Sequence, residues 1–148
     1  MQDMYNIFNV QQVIDPANTT TDVNGDTVDL QGYEGVLLAV SVGESGDSLS
    51  GSVKIELEVE HADDDGNGSP DTWTDVADDD LLNFVAGTND GCFGVIDAAA
   101  EDDAVYTTSY IGTKRYVRVV ANLVGSHSTG TPIGAIAVKG FGRHQPSA

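Results

Sequence analysis

The sequence predicts an all-β protein, an antiparallel β-sandwich of about eight or nine short strands, either immunoglobulin-like or a jelly roll. Three observations carry that reading. "SVKIELEVEH" sets Val53, Ile55, Leu57 and Val59 against Lys54, Glu56, Glu58 and Glu60, the period of two of a strand with one face in a core and one in water. Turn clusters ("NGD", "GESGDS", "AGTNDG", "GSHSTGTP") recur between such segments. Gly, Thr, Val, Asp and Asn recur too often for an apolar stripe of helical period to survive over ten or more residues.

In chain order, "MQDMYNIFNVQQVIDPANTTT" opens with apolar residues of no clean period and closes on a Pro-Ala-Asn-Thr run that reads as linker. Two readings stand for it, an arm that packs on another subunit and a first edge strand. The domain division follows the first: residues 1–20 as arm and linker, 21–148 as one sandwich domain. Strands are expected at 27–30, 35–42, 52–61, 72–76, 81–84, 92–96 and 105–111, with a helical turn only in "AAAEDDA" at 98–104. "KRYVRVVANLVG" alternates Val117, Val119, Ala121 and Leu123 with Tyr116, Arg118, Val120 and Asn122. "IGAIAVKGFG" has small residues on both faces, as a strand does when a neighbouring sheet or subunit approaches closely.

A chain of 148 residues is long enough for one core. Cys92 is the single cysteine, so no intramolecular disulfide is expected, and its small, apolar neighbours in "DGCFGVI" suit a structural thiol. The N-terminus shows no basic start and no cleavage site, and no apolar run approaches the ~20 residues of a bilayer span, so neither a secretory signal nor a membrane partner is expected.

Charge is the most unusual feature: 24 Asp and Glu against 6 Lys and Arg, net −18. Such a field repels phosphate backbones, so nucleic acid is not an expected partner. All the acids lie between Asp3 and Asp103, where Lys54 is the only base; after Ile111 stand Lys114, Arg115, Arg118, Lys139, Arg143 and two histidines with no acid. Either the C-terminal strands sit among acidic neighbours in the sheet, or the basic segment faces a partner.

"HADDDGNGSPDTWTDV" reads two ways. In the register of a calcium loop, Asp63, Asp65, Asn67 and Asp71 offer alternate oxygens around the Gly68 turn, but Thr74 stands where the bidentate Glu belongs and flanking helices are missing. The favoured reading is a hairpin tip, with Asp-Gly and Asn-Gly supplying positive φ angles, so no cofactor is expected and calcium stays the alternative. No enzyme is expected. His61, His127 and His144 share no metal-ligand spacing, "SHS" at 126–128 has no nucleophile elbow and no acid partner in sequence, and "DDD" at 78–80 and "EDD" at 101–103 are chance pairs in so acidic a chain.

Four stretches, "DTVDLQGYEGVLLAVSVGESGD", "KIELEVEHADDDGNGSPDTWTDV", "DAAAEDDAVYTTSYIGTKRYVRVVANLVG" and "TPIGAIAVKGFGRHQP", resemble in this order small structural proteins encoded by tailed phages and prophages near the major capsid gene. The resemblance runs roughly from Val28 to Pro146. It implies a virion component, most often a decoration or cement protein that sits on the outer capsid surface, contacts the major capsid protein, assembles as a homo-oligomer, with a trimer favoured, and passes through the host cytoplasm during assembly. The expected contacts are the N-terminal Met4, Tyr5, Ile7 and Phe8 and the basic Lys114, Arg115, Lys139 and Arg143; deleting residues 1–12 is expected to abolish capsid binding and leave the domain folded. The alternatives are a neck or tail component and a calcium- or carbohydrate-binding attachment module.

Overall fold

The computed structural model describes residues 5–142. They form two antiparallel sheets packed face to face. The strands are β1 (Phe8–Thr19), β2 (Val23–Asn24), β3 (Val28–Asp29), β4 (Gly35–Val42), β5 (Lys54–Ala62), β6 (Thr74–Asp75), β7 (Cys92–Ile96), β8 (Ala104–Tyr110), β9 (Tyr116–Val124) and β10 (Thr131–Gly140), with one 3₁₀ turn at Asp78–Asp80. Sheet A has the order β1-β10-β4-β8. In sheet B, β9 and β5 pair at the centre, β2 and β3 flank β9, and β6 and β7 flank β5. The protein is therefore the all-β sandwich that the alternation predicts.

Alternation places the core. Leu38, Val40 and Val42 of β4 and Ile133, Ala135 and Ala137 of β10 point from sheet A onto Ile55, Leu57 and Val59 of β5 and Val117, Val119 and Ala121 of β9. Each fully buried Val, Leu or Ile contributes about 1.5–3 kcal/mol relative to exposure. The small Ala135 and Ala137 are the inward half of the small-residue pattern in β10. Cys92 is buried as well, and burial pushes its thiol upward in pKa, as befits a structural residue.

Three expectations meet a different outcome. Residues 8–19, where an arm and an edge strand both stood open, form the edge strand β1, paired with β10 from Phe8↔Gly140 to Thr19↔Thr131. Its register shifts between Gln12 and Ile14 and between Ile14 and Ala17, which is why no clean period shows in the sequence. Val13 and Ile14 are core residues and "DPANT" lies within the strand, so deleting 1–12 would strip five paired residues from sheet A.

Residues 81–84 are not a regular strand. After the acidic 3₁₀ turn they cap the free edge of β8: Leu82 N–H donates to Ser109 O (3.0 Å), Asn83 Nδ2 to Thr107 O (2.8 Å), and Thr108 Oγ1 back to Asn83 O (2.8 Å). An irregular cover of this kind blunts a sheet edge that would otherwise template pairing. Glu56 and Glu58, expected in water, are buried on the outer face of sheet B. Lys54 holds Glu56 (2.6 Å), while Asn89 and Asn122 donate to Glu58 (3.1 and 2.6 Å); burial raises the Glu58 pKa against those two bonds. His127 does lie in a loop, between β9 and β10, but buried there, with Nε2 within reach of Val124 O (3.1 Å) and Lys54 O (3.3 Å).

Candidate interaction surfaces

Strand order brings the expected contact residues to one end of the sandwich. Phe8 begins β1, Lys139 lies next to last in β10, and Lys114 and Arg115 lead into β9. The turn carrying Tyr5 and Ile7 precedes β1, and Tyr5 is 85% exposed. Met4 and Arg143 fall outside the described residues. A cleft of about 590 Å³ opens at this end between residues 30–36 and 110–115, with Tyr33, Ile111, Lys114 and Arg115 on its walls.

Each of the three cations here is held by the chain itself. Arg115 forks onto Asp29 through Nε (3.0 Å) and Nη2 (2.8 Å), and Nη1 donates to Asp64 Oδ2. Its guanidinium also lies over the Tyr116 ring, 4.8 Å from the centroid, while Tyr116 OH donates to the same Asp64 oxygen (3.2 Å). These bonds hold the Asp29 carboxyl below the usual carboxylate range. Lys139 Nζ lies over the Tyr33 ring (4.8 Å) and donates to Asp29 O (3.4 Å); burial lowers its pKa. Lys114 Nζ donates to Thr74 Oγ1 (3.2 Å) and stands 3.8 Å from Asp63.

Elsewhere Lys54 pairs with Glu56, and Arg118 pairs with Glu60 beneath the Trp73 ring. Among the described residues, then, every Lys and Arg is engaged within the chain, as the charge-balance reading of the C-terminal segment requires. The carboxylates in excess remain as the coat of the molecule.

The acidic loop is the tip of the β5–β6 hairpin. Asp71 N–H donates to Asp63 O (2.8 Å) and Asp65 N–H to Ser69 O (2.9 Å), with Gly66 and Gly68 at φ +89° and +88°. Asp64 Oδ1 accepts from Gly66 N (2.7 Å) and Gly68 N (3.3 Å), and Asp65 Oδ1 from Asn67 N (2.7 Å) and Ser69 N (3.2 Å), which holds both carboxyls below their ordinary pKa. Asp64, which the calcium register passes over, is the residue that ties the tip to Arg115. Among the described residues no three His, Cys, Asp or Glu side chains group so as to share a metal ion. Calcium up to roughly millimolar, the weak end of protein calcium sites, is expected to leave the melting temperature unchanged in a thermal-shift titration.

His61 adjoins this end from β5. Its Nδ1 is hydrogen-bonded to Tyr110 OH (3.0 Å), whose oxygen also accepts the Lys114 N–H (3.0 Å). Burial, then the Lys114 charge, push the His61 pKa below its ordinary 6.5. A folded-state pKa below the unfolded one means that the unfolded chain binds the proton more readily. Stability should therefore be full above about pH 6.5 and fall as pH drops from there toward the folded value. In urea titrations across that range, His61→Gln should remove this limb; an unchanged slope would sink the assignment.

The other candidate clusters are structural in geometry. Ser128 does have an acid partner, Asp47, distant in sequence, whose Oδ1 accepts Ser128 N (3.1 Å) and Oγ (3.2 Å) and Thr129 N (2.9 Å), while Oδ2 accepts Gly130 N (2.7 Å). The serine hydroxyl thus bonds the acid directly and not the His127 ring. Glu101 Oε2 accepts Asp97 N (2.8 Å) and Ala98 N (3.1 Å), Asp102 accepts Ser45 N (2.9 Å), and Asp78 accepts Gly91 N (3.3 Å).

A second surface had no signal beyond the small residues of β10. On the outward side of sheet A, register aligns Val10, Val138, Leu37 and Ser109 in one row and Gln12, Ile136, Ala39 and Thr107 in the next. No side chain in either row is charged; Asp15, which accepts from Gln12 Nε2, lies at the β1 rim. Beyond the second row a groove of about 620 Å³ runs over Ser41 and Gly134 between Pro16, Pro132 and Val105.

Fold and surfaces together define a class: an acid-coated antiparallel β-sandwich whose described bases are paired internally and whose outer face of sheet A bears uncharged, largely apolar rows. No protein-family model and no curated protein matches the chain. Among solved structures it is similar to the SPBc2 prophage-derived protein YomS, with 13% identity over 93% of this chain and 98% of that one and a TM-score of 0.38.

Proposed function

We propose that the chain is a phage virion structural protein of the decoration or cement type, binding the outer surface of the capsid and stabilising the shell. The observation that carries this reading is the convergence at one end of the sandwich of the contact residues drawn from three separate stretches. There exposed Tyr5 and Ile111 accompany a cleft whose cations are already fixed in place. The resemblance over Val28 to Pro146 supports the same reading. The carboxylate excess on the remaining surface would keep decorated particles apart by mutual repulsion.

A subunit that binds only the assembled shell stabilises it by linkage, in proportion to occupancy. The test is cosedimentation with capsids that lack the protein. Saturation on the order of hundreds of copies, with capsids then surviving more heat, is the expected result. The double substitution Tyr5→Ser with Ile111→Ser should lower occupancy several-fold at unchanged melting temperature, since both side chains are more than half exposed. Saturation at a dozen copies or fewer would replace the shell with a neck or tail ring.

A further inference from the structure

We infer that a second copy of this chain covers the outer face of sheet A, in a two-fold pair with the sheets face to face. The inference is independent of the capsid reading and uses a different surface. Apolar side chains stand exposed there: Val10 at 62%, Leu37 and Ile136 at 40%, and Val105 at 66%. Scattered exposed apolar residues are ordinary, but a contiguous patch in sheet register is the mark of an interface.

Phe141 adds to it. It is 71% exposed and holds a left-handed backbone, φ +56°, which a bulky residue adopts only at a cost. That conformation lays the ring over Gly35, where a Cβ would come within 3.2 Å of it. Gly35 and Leu37 share one side of β4, so the ring extends the same face.

Charge selects the occupant. Two molecules of net −18 repel, and the outward side of sheet B carries three glutamates, Glu56, Glu58 and Glu60, against two bases, Lys54 and Arg118. The outward rows of sheet A bear no charge, so two copies meeting there set no carboxylate against another within those rows, Asp15 standing outside them at the β1 rim. Shape points the same way. Phe141 lies five residues beyond Ile136 and Pro132 four residues before it, about 13–17 Å to either side along the strand. A two-fold axis across the strands at Ile136 brings the projecting Phe141 end of each copy over the Pro132 groove of the other. Such an isologous contact closes on itself and stops at two.

Sedimentation velocity over a range of concentration and salt tests the pair. The unsubstituted chain should dimerise, and more tightly as salt rises, because screening removes the repulsion between the coats while the apolar contact persists. Ile136→Glu sets two carboxylates against each other at the axis and should weaken the pair roughly 100-fold or more. Ile136→Lys should do the same, and mixing the two variants should restore pairing, which only a contact of Ile136 with its own mate explains. Phe141→Gly, which removes the ring and relieves the backbone, should weaken pairing without loss of monomer stability and covers the case in which an Ile136 variant misfolds. Leu82→Glu, at an exposed site on the β8 edge cap, should pair as the unsubstituted chain does.

A chain that stays monomeric at every concentration and salt overturns the inference, as does Ile136→Glu pairing like the unsubstituted chain or Leu82→Glu separating like Ile136→Glu. A monomer that still coats capsids leaves the proposed role standing, and a pair that ignores capsids removes that role alone.

Discussion

Gly91→Ala should cost roughly 3–5 kcal/mol, enough to threaten a fold of ordinary marginal stability. Gly91 sits where β5 is shared between the segment leading to β7 and the one leaving β6 at Val76. Its carbonyl accepts Val59 N–H (3.0 Å), and Val59 O accepts Val76 N–H (3.0 Å). A Cβ at Gly91 would fall 2.6 Å from Val59 O, 3.0 Å from Val76 O and 3.2 Å from Val76 N, and the residue holds φ +78°. All three neighbours are backbone, so relief means moving the peptides that carry the ladder. Gly66→Ala is the control. It has the same left-handed backbone, φ +89°, with nothing within 4 Å of the new methyl, and should cost only the conformational part, about 1–2 kcal/mol. Urea unfolding of the two variants separates collision from backbone preference, and equal losses would refute the account of Gly91.

Replacing Arg115 by Met should reverse a pH dependence. In the native protein Asp29 and Asp64 meet across one guanidinium, and both carboxyls titrate below their ordinary value of 3.8. Groups with depressed folded-state pKa values stabilise above the unfolded pKa, and that stability is lost as pH falls through the folded value. Without Arg115, two carboxylates face each other with no cation between them. Asp64 keeps the Gly66 and Gly68 N–H groups and the Tyr116 hydroxyl, so Asp29, left mainly with the Gln31 N–H, is the one driven upward. A raised carboxyl contributes stability at low pH that disappears as pH rises through its folded value. The stability deficit of Arg115→Met against the native chain should therefore be small near about pH 4 and larger near about pH 7. A deficit equal at both pH values would mean that Arg115 acts by packing its stem and not by its charge.

The Arg115 site shows what pattern reading reaches and where it ends. That the C-terminal bases face acidic neighbours was legible from the segregation of charge along the chain. Which acids they face was not, because Asp29, Glu60 and Asp64 lie 51 to 86 residues from their partners. The hairpin tip was legible from its glycines, while Asp64, the acid that anchors it, falls outside the alternation that a calcium register picks out. Glu56 and Glu58 read as solvent-facing because period two says only that they oppose the core. Their partners in the buried setting are Asn89 on a loop and Asn122 on the adjacent strand for Glu58, and Lys54 for Glu56.

By itself, then, the sequence determined the all-β class, the strands legible from local pattern (β5 and β9 from their alternation, β4, β7, β8 and β10 from apolar or β-prone runs between turn clusters), the hairpin tip and the acidic coat. Each of these follows from neighbours within a few residues, where side-chain periodicity and turn conformation act. Tertiary structure alone decided that residues 8–19 are an edge strand, that residues 81–84 cap a sheet edge, that the cations among the described residues are already paired, and that sheet A carries uncharged outward rows. Each of those depends on which strands lie side by side, and strand order is set by the packing of both sheets around one core, where a residue's environment comes from chain segments remote in sequence.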